Sequence, residues 1–268
     1  MARRNEATAC ACGNDGRGSF GWGVLTGLVA AGAAWIGRKV AMHAAINNGH
    51  TPMHRALDLA SAAMQPKYPV EALSTYLNGL HFYADDMNRQ VEAHHFCTHL
   101  AHDMHQCIIY DSNQPNARLI GIEYIISADR FRGLPEGEKR LWHSHHYEIS
   151  SGQLVAPGIP ELAERTYFKD LISTYGKTFH MWQVDRDDFP YGIPQLMMGF
   201  TADGQADPAK LRERDQRLGI SWRHRRAQRS GIAVPEPLPG ANAWETGRSL
   251  QTALQEVDLK GARGLARD

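Results

Sequence analysis

Cysteine is scarce in this chain, and an excess of either charge is missing. Four cysteines in 268 residues are too few to build a disulfide scaffold, and their number and spacing do not identify a compartment. Twenty-nine Lys and Arg balance 29 Asp and Glu, which counts against the nucleic-acid backbone as main partner, because proteins that grip it carry a clear basic excess. There is no internal repeat, and no HExxH, GxSxG, P-loop, or GxGxxG with its surrounding unit. With 43% hydrophobic and 22% charged residues the mix is that of an ordinary globular protein. Wholesale disorder, a coiled coil and a collagen-like repeat are thereby excluded. The length admits one large domain, or one domain with appendages. Histidine is what the chain has in excess: 14 in all, nine of them between His81 and His146.

Residues 1–48 form an N-terminal extension. Within it, Gly18 to Gly37 are twenty residues without a charge, bracketed by Arg17 and by Arg38-Lys39. A helix of that length covers roughly the 30 Å of a bilayer's hydrocarbon, and Trp22 and Trp35 lie near its ends, where interfacial aromatics belong. Six glycines weaken the signal. The segment reads as a membrane anchor or lipid-surface helix; a cleaved signal and a Gly/Ala-rich helix packed on the protein are the alternatives.

The core domain spans 49–205. Thr51-Pro52 caps a short helix through Met64, and Val70, Leu73, Leu77 and Leu80 recur at helical intervals, which predicts a second helix over 69–83. Residues 90–100, 106–111, 118–127, 147–155 and 177–185 are rich in β-branched and aromatic side chains and read as strands. Between the last two, Pro160 to Tyr175 reads as a helix stopped by Gly176. The fold class is therefore α+β, a mostly antiparallel sheet with helices packed on one face. A polar, basic helical tail, 206–268, follows. Its stretch 210–229 holds eight Lys or Arg against two acids and reads as a solvated helix over the core rather than a nucleic-acid grip; a last short helix is expected near 241–257.

In VEAHHFCTHL a strand sends His95, Cys97 and His99 to one face and His94 to the other. A hairpin turning at His102 sets Cys97 opposite Cys107 and His99 opposite His105, with Cβ atoms about 4.5 to 5.5 Å apart. The two cysteines could stand as thiols, co-ligate a soft metal or close a disulfide. In LWHSHHYE, strand parity pairs His143 with His145, and Glu148 joins them only through a bulge. His180 shares a face with Thr178, Trp182 and Val184. Glu123 lies in a strand apolar on both faces, so its carboxylate must be paired, hydrogen-bonded, protonated or metal-bound. Imidazoles with a carboxylate suit Zn, Fe or Cu. His95, His99, His143, His145 and His180 are thus the candidate ligands of one transition metal, and Glu123 or Glu148 a ligand, orienter or general base.

The runs NGLHFYADD, QVEAHHFCTHL, NARLIGIEY, LWHSH and TFHMWQVDR, in this order, resemble the oil body-associated protein family, a domain of unknown function of plants, fungi and bacteria. The likeness runs from about Gly49 to about Trp244. The family pattern falls on His81, His95, Cys97, His99, Cys107, Glu123, His143, His145, Glu148, His180 and Asp185, whereas VDRDDFPYG departs from it after Asp185. The resemblance implies a lipid-droplet location more than a mechanism, and it brings no reaction or substrate. Two readings follow: a metal-binding domain, enzymatic or not, held near a membrane or lipid surface by 18–37, or a non-catalytic lipid-surface protein with no metal.

Overall fold

A computed structural model describes residues 51–260 together with Ala34, Gly37, Arg38, Val40, Ala41, Met42 and Ile46. Apart from Ala34 and Gly37, the apolar run 18–37 lies outside the described residues. No helix among the described residues is long and apolar enough to cross a membrane. The chain divides into two compact units, 1–66 and 67–268. In the first, α1 (Pro52–Met64) begins where the sequence places it: the Thr51 hydroxyl accepts from the His54 N–H at 3.3 Å and Pro52 occupies the first turn.

The second unit runs α2 (Tyr68–Glu71), β1 (Thr75–Tyr83), β2 (Asp86–Ala101), β3 (Met104–Tyr110), β4 (Leu119–Ile126), α3 (Ala128–Arg132), α4 (Glu136–Lys139), β5 (His143–Ser144), α5 (His146–Ser150), α6 (Glu161–Leu171), β6 (Tyr175–His180), β7 (Gln195–Met198), α7 (Pro208–Leu218) and α8 (Trp222–Arg229). Strands pair antiparallel in the order β4-β3-β2-β1-β7-β6, and β4 also pairs with β6. That pairing closes the sheet into a six-stranded barrel, with β5 adding two residues beside β6. The α+β class stands, but the open sheet with helices on one face does not. β4 has a neighbour on each edge, and closure removes the exposed edges that an open sheet would have to protect.

Four further elements differ from their sequence reading. Residues 75–83 are strand β1, and helix α2 takes up only Tyr68–Glu71. Leu77 through Tyr83 are buried on both faces, so alternation is hidden. Leu77 packs with Cys97, Ile125 and Leu154, while Leu80 packs on the opposite side with Phe82, Leu196 and Phe200; their spacing of three is not one helical stripe. Residues 147–155 are not a strand: α5 leads into a turn at Gly152 (φ 80°), and only Val155 returns to bridge Asn78. Gly176 does not stop a helix. α6 ends at Leu171, and Gly176 lies inside β6, which ends at His180 rather than Asp185. The last expected helix, 241–257, shrinks to one turn of 3-10 helix at Ala243–Thr246.

The basic stretch 210–229 is not a free patch. Arg214 and Arg229 are buried. Arg214 Nη1 donates to the Gln153 carbonyl at 2.6 Å, and Arg229 Nη1 to the carbonyls of Ile149 and Leu154 at 2.8 Å each. Arg229 Nη2 also lies 3.2 Å from Glu164. These two guanidiniums hold the turn that follows α5.

Candidate metal centre

Inside the barrel, β2 and β3 pair in the register of a turn at His102, with Cys97 opposite Cys107 and Cys107 opposite Glu123 of β4. Cys97 and Cys107 are joined by a disulfide. Parity then brings His95, Cys97 and Glu123 to the interior, while His94 on the other face meets the Tyr76 hydroxyl at 2.8 Å. β1 contributes His81, β6 His180 and β5 His143; the turn of α5 delivers His145 and Glu148. All seven side chains, His81, His95, Glu123, His143, His145, Glu148 and His180, are buried, His143 and His180 completely.

The geometry is tight. Glu123 Oε2 lies 2.9 Å from His95 Nε2, and Glu123 Oε1 lies 3.1 Å from His145 Nε2 and 3.6 Å from His143 Nε2. His143 Nε2 is 3.9 Å from Glu148 Oε2, and His81 Nδ1 is 3.4 Å from His180 Nε2. Two donor triads meet within 4.8 Å, His81–His95–Glu123 and Glu123–His143–His145. A cavity of about 10 Å3, the size of one water molecule, opens among His81, His95, Glu123, His145 and Glu148, walled by Leu77, Ile125 and Leu154.

Two glycines make the crowding possible. A Cβ on Gly176 would stand 2.0 Å from Glu123 Oε1 and 2.8 Å from His145 Nε2, and one on Gly199 would stand 2.7 Å from Glu148 Oε2. Only the absence of a side chain lets the carboxylates and imidazoles reach these positions.

The proton inventory singles out His145. The Thr174 hydroxyl donates to the Leu171 carbonyl at 2.6 Å, so its oxygen accepts from His145 Nδ1 at 2.8 Å. With Nδ1 engaged by Thr174, His145 turns Nε2 toward the Glu123 carboxylate at 3.1 Å. In addition, both ring nitrogens of His143, and Nδ1 of His95 and of His180, have no hydrogen-bond partner among the described residues. Buried groups left this way call for an ion or water.

Electrostatics agree. Burial alone would raise the Glu123 carboxyl, but the His95 and His145 imidazoles outweigh it and hold it well below its ordinary range. Burial and neighbouring imidazoles push His143 and His180 down to about 3, with Glu123 opposing, and push His81 well below its ordinary 6.5. Glu148 goes the other way: burial, and then the charge on Glu123, raise it well above the usual carboxylate range. Five buried imidazoles around a carboxylate make a borderline donor set, suited to zinc, iron or copper.

Of the residues singled out from sequence, His95, His143, His145, His180, Glu123 and Glu148 come together. Glu148 arrives by a helical turn, because the strand that would have needed a bulge is absent. His99 does not join: it is exposed, its ring 3.8 Å from that of His105, and it lines a separate cleft of about 360 Å3 with Asp170 and Thr174. His81, Thr174, Gly176 and Gly199 belong to the site but were not picked as candidates. His81 was hidden by the helical reading of 69–83, although Asn78-Gly79 just before it is a poor helix interior.

Residues 67–233 match the family described as "Protein of unknown function (DUF1264)". Oil body-associated protein 1B of Arabidopsis thaliana is 44% identical over 205 residues, 76% of this chain and 85% of its own. Oil body-associated protein 1A of Zea mays is 45% identical over 206 residues, 76% of this chain and 86% of its own. Oil body-associated protein 2A of Zea mays is 42% identical over 199 residues, 72% and 79%. No solved structure matches the chain.

Two outcomes test the site as described. Gly176→Ala, in a strand where alanine is conformationally free, will lower stability by about 1–3 kcal/mol in urea unfolding because the new methyl overpacks Glu123; an unchanged midpoint would mean the carboxylate is not where it is drawn. The pH dependence has a definite sign. His81, His143 and His180 are depressed in the fold, so below about 6.5 the unfolded chain binds more protons and stability falls as pH drops. Glu123, also depressed, adds to the loss below its ordinary value, and the raised Glu148 alone opposes it. Metal-free protein will therefore weaken from about pH 6.5 downward in thermal melts, and a melting temperature flat from pH 7 to 5 would count against buried neutral histidines.

Proposed function

The chain belongs to the oil body-associated protein family, and from that premise we propose that its barrel is a metal-binding domain working at a lipid surface. One observation carries the metal half. Thr174 engages His145 Nδ1, so that Nε2 faces Glu123 Oε1 at 3.1 Å, with His143 Nε2 3.6 Å from the same oxygen. A single proton would satisfy one nitrogen and leave both of His143, and Nδ1 of His95 and of His180, unmet, whereas a metal ion draws on several donors at once. At metal–nitrogen distances of about 2.0–2.1 Å, ligands of a tetrahedral ion stand about 3.3 Å apart, close to the spacings found here.

A bound zinc, iron or copper ion would supply a Lewis acid able to activate water or dioxygen at an open position. The chain's own residues set the rest. Thr174 orients His145; the disulfide packs with Leu77, Ile125 and Leu154, which wall the cavity; and Glu148 brings a second carboxyl group 3.9 Å from His143. Arg229 and Arg214 fix the turn behind Glu148.

The lipid half rests on the relatives' names and on a surface feature. Phe189 and Tyr191, 57% and 60% exposed, stand 5.0 Å apart on the loop between β6 and β7, where apolar rings with one polar tip suit a lipid interface. Elemental analysis of untagged protein is expected to give at least one equivalent of zinc, iron or copper per chain, lost in Glu123→Gln; protein that is metal-free and takes up none would contradict the reading. The lipid half is tested separately by flotation with triolein–phospholipid droplets. Binding should persist in Glu123→Gln and weaken several-fold in Phe189→Ser/Tyr191→Ser; wild-type protein that stays at the bottom of the gradient would remove it.

A further inference from the structure

The donor set is larger than one ion needs. Zinc in proteins takes four ligands as a rule, yet seven imidazole and carboxylate side chains converge here, all buried. They are also divided. Glu123 turns Oε2 toward His95 at 2.9 Å and Oε1 toward His145 at 3.1 Å and His143 at 3.6 Å. The two triads, His81–His95–Glu123 and Glu123–His143–His145, share Glu123 and nothing else. Each side has a further donor at its margin. His180 Nε2 stands 3.4 Å from His81 Nδ1, close to the roughly 3.3 Å between neighbouring ligands of a tetrahedral ion, and Glu148 Oε2 stands 3.9 Å from His143 Nε2.

We propose that the site is dinuclear: two first-row transition-metal ions bridged by the Glu123 carboxylate, one held by His81, His95 and His180, the other by His143, His145 and Glu148. This deepens the metal reading and rests on it. Paired ions in protein sites lie about 3.5–4 Å apart, a separation that the two oxygens of a bridging carboxylate can span. The charges fit as well. Two carboxylates offset half of the charge of two divalent ions, and the water-sized cavity beside Glu123 has room for one bound solvent molecule or hydroxide. Gly176 and Gly199 both clear space on the side of His143, the first for Glu123 with His145 and the second for Glu148.

The test is the stoichiometry of Zn2+ bound by untagged, chelator-treated protein in equilibrium dialysis, with Cu2+ loading followed by electron paramagnetic resonance. Wild type should bind two Zn2+ per chain, and the Cu2+ signal per ion should fall when the second equivalent is added, because bridged ions couple. His180→Asn with His81→Asn should retain one equivalent, His143→Asn with His145→Asn should retain the other, and Glu123→Gln should retain neither. Wild type saturating at one Zn2+ would overturn the bridged pair while leaving a single-ion site standing; no uptake at all would overturn both. Two equivalents that survive the His81 and His180 changes would also sink the proposal, since they would be bound elsewhere. The wild-type stoichiometry decides the matter even where a variant fails to fold.

Discussion

A carboxylate with 2% of its surface exposed, in the middle of a strand with neighbours on both edges, is the constraint around which this barrel is arranged. An isolated buried charge of that kind is prohibitive, and proteins keep one only when it is paired or bound to a metal. Glu123 is met on both oxygens by imidazoles, and those imidazoles come from β2, from β5 and from the turn at the start of α5. Satisfying one side chain therefore fixes the relative positions of elements spread over more than fifty residues of sequence.

The closed sheet is what makes such convergence possible. β4 pairs with β3 on one edge and β6 on the other, so side chains on its inner face see the inner faces of all the remaining strands. The space inside is set by omission, at Gly176 and Gly199, as much as by packing. Support comes from outside the barrel. The guanidiniums of α7 and α8 are bonded to backbone carbonyls of the turn after α5, which ties the basic C-terminal helices to the position of Glu148. A stretch of cations that looks like a surface for anions is in part an internal clamp.

Local pattern made much of this legible. The β2–β3 hairpin, its register through Cys97 and Cys107, the inward face of His95 and the central place of Glu123 all follow from period-two alternation and one turn. What escaped depends on contacts that no short window contains. Closure is a pairing between β4 and β6, 49 to 59 residues apart, which local pattern does not reveal. β1 is buried on both faces, its leucines serve two different clusters, and their spacing imitated a helix, which kept His81 out of the ligand set. Gly176 followed a helical stretch and read as its stop, whereas its role is to leave room for a carboxylate. His99 had the right parity but sits at the far end of the hairpin, beyond the disulfide, and so faces a cleft instead of the cluster.

The central claim is that buried imidazoles and Glu123 coordinate metal, and the most direct measurement is X-ray absorption at the metal edge of purified, untagged protein. Nitrogen and oxygen donors near 2.0–2.1 Å, with the outer-shell scattering that imidazole rings produce, are the expected result. A shell of oxygens alone, or sulfur near 2.3 Å, would place the metal elsewhere and contradict the account.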